Sequence, residues 1–184
     1  MDTFFHVSSY AKEGQIFTKQ SKMNFDFCEY ICINDFSIYE NALSNYKEMI
    51  KIGFASKTGR ISSKWLCEAI FESVRKQYYS TMPSRVWGIY LCKTKNEATI
   101  FNQNFRGSKG RVFEVNVSNV VRFNMNLFTE AHELIVDSDF SVQSYEKALL
   151  YAHAYWQNQS CDGVAYEPEY IALDKEVIIG STIN

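Results

Sequence analysis

The sequence has no apolar run of membrane-spanning length, and its first residues show no basic segment followed by an apolar one. These absences argue against a spanning helix and a cleaved export signal. The expected location is cytoplasmic, including delivery into a host cell without such a signal. Charge of one sign is missing as well: 19 basic residues stand against 21 acidic ones, a formal net charge of -2. No global field therefore draws the chain to nucleic acid or an anionic membrane, and no membrane partner is expected, although the balance leaves room for a local basic patch.

Metal-type spacing is also absent. The five cysteines, Cys28, Cys32, Cys67, Cys92 and Cys161, are odd in number. The four-residue step from Cys28 to Cys32 suits one face of a helix or strand better than a zinc knuckle. Reduced, partly buried thiols in a reducing compartment follow. His132 and His153 stand at no metal-ligand spacing from carboxylates or cysteines, so no metal is expected. Lys57-Thr58-Gly59-Arg60 falls short of a phosphate loop, and Arg106-Gly107-Ser108-Lys109-Gly110-Arg111 reads as a solvated loop able to meet a phosphate. With no internal repeat and no interdomain linker, residues 1–184 read as a single domain.

What is present is apolar and aromatic: 46% hydrophobic residues, 14 Phe and 12 Tyr exclude a disordered chain. Residues 4–7 read as a strand left through a turn at Glu13-Gly14, and 25–32 as an extended or irregular segment. A helix is expected over 37–51. Gly53 and residues 57–60 interrupt the pattern before a second helix, capped by Ser62 or Ser63, runs to Tyr79. A central strand at 86–92 precedes Thr94-Lys95-Asn96-Glu97, a capping box in which the Thr hydroxyl and Glu carboxylate each satisfy a free backbone amide. Strands follow at 111–117 and 120–127, then a helix at 144–157 and short closing strands at 164–166, 169–173 and 177–179. Several short strands with helices grouped apart from them give an α+β class.

Three residues in this order carry chemistry: His6 on the first strand, Tyr90 in Gly88-Ile89-Tyr90 on the central strand, and Glu169 on a late strand. Taken singly, each has a plainer reading: a strand-end histidine bonded to backbone, a core tyrosine, a surface charge beside Pro168. Taken together, with Ala98 and Phe101 in the helix after Tyr90, they resemble the ADP-ribosyltransferase-fold family. The nearest branch is the His-Tyr-Glu one related to diphtheria toxin and the poly-ADP-ribose polymerases. Pro83-Ser84-Arg85, Tyr155-Trp156 and Glu169 are similar to motifs of poorly characterised bacterial domains of that fold.

The resemblance implies a split, mostly antiparallel β core with flanking helices, and NAD as co-substrate for mono-ADP-ribosyl transfer to a protein or nucleic acid. Its setting would be a toxin, an effector or phage defence, where an inhibitory partner protein is also expected. It implies catalytic roles for Glu169, Tyr90 and His6, cofactor binding by His6, Ser8, Arg85 and Tyr90, and an acceptor-orienting role for Glu167. Arg85 would either hold a phosphate of NAD or brace the sheet through an acidic partner. The chemistry agrees: breaking the nicotinamide C–N bond develops positive charge on the ribose, which a carboxylate stabilises, while an aromatic ring stacks on nicotinamide. Two alternatives share the fold, an RNA 2′-phosphotransferase-like enzyme and a catalytically silent nucleotide- or protein-binding domain.

Overall fold

A computed structural model describes residues 2–18, 43, 55–137 and 141–183. The extended or irregular segment at 25–32 with Cys28 and Cys32, Gly53, and all but residue 43 of the helix expected over 37–51 lie outside the described residues. In chain order the described elements are β1 (Asp2–Ser8), β2 (Ile16–Thr18), α1 (Ala55–Tyr78), β3 (Tyr90–Leu91), α2 (Lys95–Arg106), β4 (Arg111–Val117), β5 (Val120–Asn124), α3 (Met125–Asp137), α4 (Val142–Trp156), β6 (Pro168–Ala172) and β7 (Glu176–Ile183). The class is α+β. None of the described helices is long and apolar enough to cross a membrane.

The chain falls into two compact units that it visits alternately. The first draws on Met1–Asn24, Trp87–Arg122 and Glu169–Asn184, the second on Phe25–Val86 and Phe123–Pro168.

In the first unit, β1-β4-β7-β2 form a four-stranded sheet whose neighbours pair antiparallel, and β3 pairs antiparallel with β6 in a second sheet. Strand alternation explains the core. Phe4 of β1, Phe113 and Val115 of β4, Val177 and Ile179 of β7, Ile89 and Leu91 around β3 and Ala172 of β6 bury one another in one cluster. The opposite face of β1 and β4 supplies Val7 and Val112, which pack on Ala98 of α2. That helix starts as its sequence dictates: Thr94 and Glu97 form the reciprocal capping box, and Gly107 ends it at φ 54°.

A register shift between Phe113 and Val115 marks a bulge in β4. Opposite it, a Cβ on Gly180 would lie 2.6 Å from the Glu114 carbonyl oxygen, so only glycine lets the two backbones approach. Gly180→Ala is expected to cost about 1–3 kcal/mol of stability, the usual penalty for overpacking. An unchanged urea midpoint would show that the bulge relaxes freely.

Among the described residues, the second unit contains three helices, α1, α3 and α4. Trp65, Leu66, Ala69, Ile70, Phe71 and Val74 of α1 are buried, as are Leu127, Phe128, Ala131 and Ile135 of α3 and Ala148, Ala152, Tyr155 and Trp156 of α4. The Trp156 indole donates to the Phe71 carbonyl at 2.8 Å, satisfying a buried polar atom inside this core.

Several expected boundaries are corrected. Residues 57–60 lie inside α1 rather than interrupting it, and Ser63 is an interior helix residue whose hydroxyl meets His132 Nε2 at 3.1 Å. The segment 120–127 is a strand only to Asn124, after which α3 begins. Residues 164–166 form no strand. The central strand shrinks from 86–92 to Tyr90–Leu91, extended by a bridge at Cys92. Its loss has a local cause: the Val86 amide donates to Ser84 Oγ at 3.2 Å, a turn bond that takes the place of a ladder bond.

Candidate functional site

The site elements of the first unit are β1, β3 and β6. The chain around β3 links to both strands. Phe5 and Cys92 exchange two backbone bonds, N–H to O at 2.9 and 2.7 Å, while Tyr90 pairs with Ile171 and Leu91 with Tyr170.

His6 joins this junction through backbone. Its Nδ1 lies 2.9 Å from the Tyr90 carbonyl oxygen, which can only accept, so Nδ1 carries the proton and Nε2 the lone pair. Burial lowers the His6 pKa below its ordinary 6.5; the bond to Tyr90 opposes that shift and Arg106 adds to it. The imidazole is accordingly neutral near pH 7. It meets the Phe17 ring edge-on at 5.6 Å between centroids, on the side of the core that holds Phe4.

Tyr90 faces the other way. Its neighbours Ile89 and Leu91 both enter the core with Phe4, so the tyrosine side chain, one residue out of step, occupies the opposite face of β3. Ile171 shares that face as its cross-strand partner, and Glu169, two residues earlier on β6, shares it too. Diagonal cross-strand neighbours of this kind lie about 7–8 Å apart, within reach of an aromatic side chain. Both Tyr90 and Glu169 are half-buried. The expectation of three side chains on one face is therefore corrected. Tyr90 and Glu169 share a face, and His6 reaches Tyr90 by its carbonyl from the other face, because β1 pairs with this segment in the register that matches Phe5 with Cys92.

The remaining expected residues separate. Ser8 Oγ accepts from the Tyr10 and Ala11 amides at 3.2 and 3.0 Å, so it shapes the turn after β1. Arg85 belongs to the second unit and is 2% exposed. Its Nε and Nη2 donate to the two oxygens of Glu68 at 3.0 and 3.2 Å, its Nη1 to Tyr155 Oη at 2.9 Å, and its guanidinium lies 4.1 Å from the Phe128 ring centroid. Of the two roles expected for Arg85, bracing through an acidic partner is the one found, though inside the helical unit rather than against the sheet. Phosphate binding finds no support in so buried a group. Burial, aided by Glu97, pushes the Cys92 thiol up to about 11, which disfavours its thiolate.

Glu167 is exposed and precedes β6, so strand alternation does not carry it to the face of Glu169. Its backbone is held instead. Asn124, fully buried, accepts the Glu167 amide at 3.0 Å and the Asn126 amide at 3.2 Å through Oδ1, and the Glu167 carbonyl accepts from the Met125 amide at 2.8 Å. Asn126 Nδ2 donates to the Ala165 carbonyl at 3.1 Å. Sequence reasoning missed this pair. The signal was an Asn-x-Asn at the strand-to-helix change, where side-chain oxygens compete for backbone donors. Asn124→Ala is expected to destabilise by about 1–3 kcal/mol, because two amides lose their acceptor. Faster hydrogen exchange at Glu167 and Asn126 would check it, and unchanged protection would count against the clip.

A family model described as "Protein of unknown function (DUF2441)" matches residues 4–175. The chain belongs to the DUF2441 family. The match runs from β1 to the residues just before β7, so His6, Tyr90 and Glu169 all lie within the span that defines the family. No curated protein matches the chain.

Proposed function

We propose that this DUF2441 member is an NAD-dependent mono-ADP-ribosyltransferase of the ADP-ribosyltransferase type, acting on a macromolecular acceptor. One observation carries the reading: the β3–β6 register puts the half-buried Tyr90 and Glu169 on one face of adjacent strands within the first unit. That spacing suits a flat nicotinamide ring stacked on Tyr90 while the Glu169 carboxylate accepts a ribose hydroxyl and stabilises the cation that forms as the C–N bond breaks. Support also comes from two antiparallel sheets that close over a common core, which is compatible with the split β core of that fold.

In this reading His6 is a positioning residue. Its Nδ1–H fixes the Tyr90 carbonyl, and with it the end of β3, while the ring itself stays on the core side. Glu169 and Tyr90 are the catalytic residues. The nicotinamide leaves with the bonding electron pair, and the acceptor nucleophile adds to the ribose carbon and loses its proton.

Incubation with NAD labelled in the adenylate moiety and a cell lysate, followed by separate nuclease and protease digestion, tests the reading. Transfer of label with release of nicotinamide is expected, and the digestion that frees the label names the acceptor class. Neither transfer nor nicotinamide release from pure protein or lysate would overturn it. A 2′-phosphorylated RNA incubated with NAD in parallel tests the phosphotransferase alternative.

A further inference from the structure

In the first unit, the second half of α2, the loop after it and the turn after β1 expose aromatic rings beside cations. Phe105 is 72% exposed and Tyr10 52%, large values for apolar rings on a folded surface. The Phe101 and Phe105 rings lie 5.1 Å apart, and the Arg106 guanidinium sits 5.6 Å from the Phe101 centroid. Arg111 Nη2 donates to the Ala11 carbonyl at 2.7 Å, joining the turn after β1 to the start of β4. Burial lowers the Arg106 pKa and Tyr10 opposes the shift, so Tyr10 lies close to Arg106.

The charge is locally positive. Residues 98–113 and 8–12 contain Arg106, Lys109, Arg111 and Lys12, with acidic residues only at the borders of these stretches, Glu13, Glu97 and Glu114, in a chain whose formal net charge is -2. The loop is also set in advance. Asn102 clamps Gly110 by two bonds, Nδ2 to its carbonyl at 2.8 Å and Oδ1 from its amide at 2.9 Å. A Cβ on Gly110 would meet Asn102 Oδ1 at 2.7 Å and Val7 Cγ1 at 2.8 Å. Ser108 holds a left-handed φ of 60°, a conformation that residues other than glycine rarely adopt. A loop already ordered loses little entropy on binding.

We propose that this surface binds single-stranded nucleic acid, with unpaired bases stacking on Phe105 and Tyr10 and the phosphates tracking Lys109, Arg111 and Lys12. Rings beside cations are the two elements such binding needs: every base offers a flat face, and the backbone offers regular negative charge. A second copy of the chain fits less well, since a two-fold contact through this surface would set its cations against their own counterparts. The proposal does not rest on the catalytic reading, because binding here needs neither NAD nor Glu169.

The test is fluorescence anisotropy of the whole chain, without NAD, against a labelled mixed-sequence strand of about 12 nucleotides, within the range of known single-strand sites. The same sequence is used as RNA, as DNA and as duplex. Wild type is expected to bind both single strands more tightly than duplex, and to weaken as salt rises. Phe105→Ala is expected to weaken binding about five- to a hundred-fold, the loss typical of one stacked base. Lys109→Ala should lower the slope of log affinity against log salt by about 0.7, the share of one phosphate contact on a single strand. Both side chains are exposed, so neither variant should alter the thermal midpoint. Absence of salt-dependent binding below about 100 µM would overturn the proposal. So would equal affinity for duplex, or single-strand binding indifferent to both variants. If Phe105→Ala changes only the sedimentation mass, the surface is an interface between copies and the proposal fails.

Discussion

Glu169→Gln is expected to reduce ADP-ribosyl transfer and NAD hydrolysis about a hundred- to a thousand-fold, the loss usual for one preorganised electrostatic group, with little effect on NAD affinity. Glutamine keeps the size and one carbonyl acceptor but removes the charge that matters once the ribose becomes cationic, so the loss falls on kcat rather than KM. Glu167→Gln is the control. Its carboxylate is exposed on the segment before β6, so the variant should retain NAD hydrolysis and alter, at most, transfer to the acceptor. The opposite pattern, a silent Glu169→Gln and a dead Glu167→Gln, would assign the chemistry to the other carboxylate. His6→Ala should lower kcat through the Tyr90 carbonyl it holds, and a substitution at His6 that preserves an N–H donor should recover part of that loss.

Arg85→Met is expected to cost about 3–5 kcal/mol, the largest stability loss expected of any substitution considered, because it strands a charge. Glu68 is 1% exposed and its two oxygens accept from the Arg85 guanidinium, so removal of the arginine leaves a buried carboxylate without its cation. Pairing the change with Glu68→Gln should return much of the loss, since a neutral amide is cheaper to bury than an unpaired carboxylate. Urea denaturation followed by the fluorescence of Trp65 and Trp156, both buried in the same unit, checks this. A single variant as stable as wild type, or a double variant no better than the single, would show that the pair is not the linchpin of the helical unit.

How legible this was depends on the range of the forces involved. The capping box at Thr94 and Glu97 and the apolar alternation of β4 are local, and both appear where the sequence puts them. α3 escaped notice although Leu127, Phe128, Ala131 and Ile135 recur at helical spacing, because the apolar run of β5 leads into it without glycine or proline to mark the change. Besides the Ser84–Val86 turn bond, a tertiary reason shortens the central strand. Val86 is 2% exposed, like Arg85, and both belong to the second unit, so hydrophobic and branched residues there serve helices rather than a sheet.

The candidate site shows the same division. That His6, Tyr90 and Glu169 would sit on neighbouring strands could be reached from their order along the chain. Which face each side chain takes could not. Facing depends on pairing register, and a one-residue slip between strands far apart in sequence reverses it.

The alternating path of the chain bears on how the protein is made. β7 pairs with both β2 and β4 and lies more than fifty residues beyond β4 in the sequence, so the first sheet gains its third and fourth strands only after residues 176–183 have been synthesised. Contacts that distant close slowly. While they form, β4 presents an open edge that invites pairing with another chain. The strand carrying Glu169 is made only shortly before β7, so a nascent chain that has already completed α1, α3 and α4 still lacks that carboxylate in place. During translation, any activity that depends on Glu169 is thus withheld until the helices of the second unit and the strand that follows them have been made.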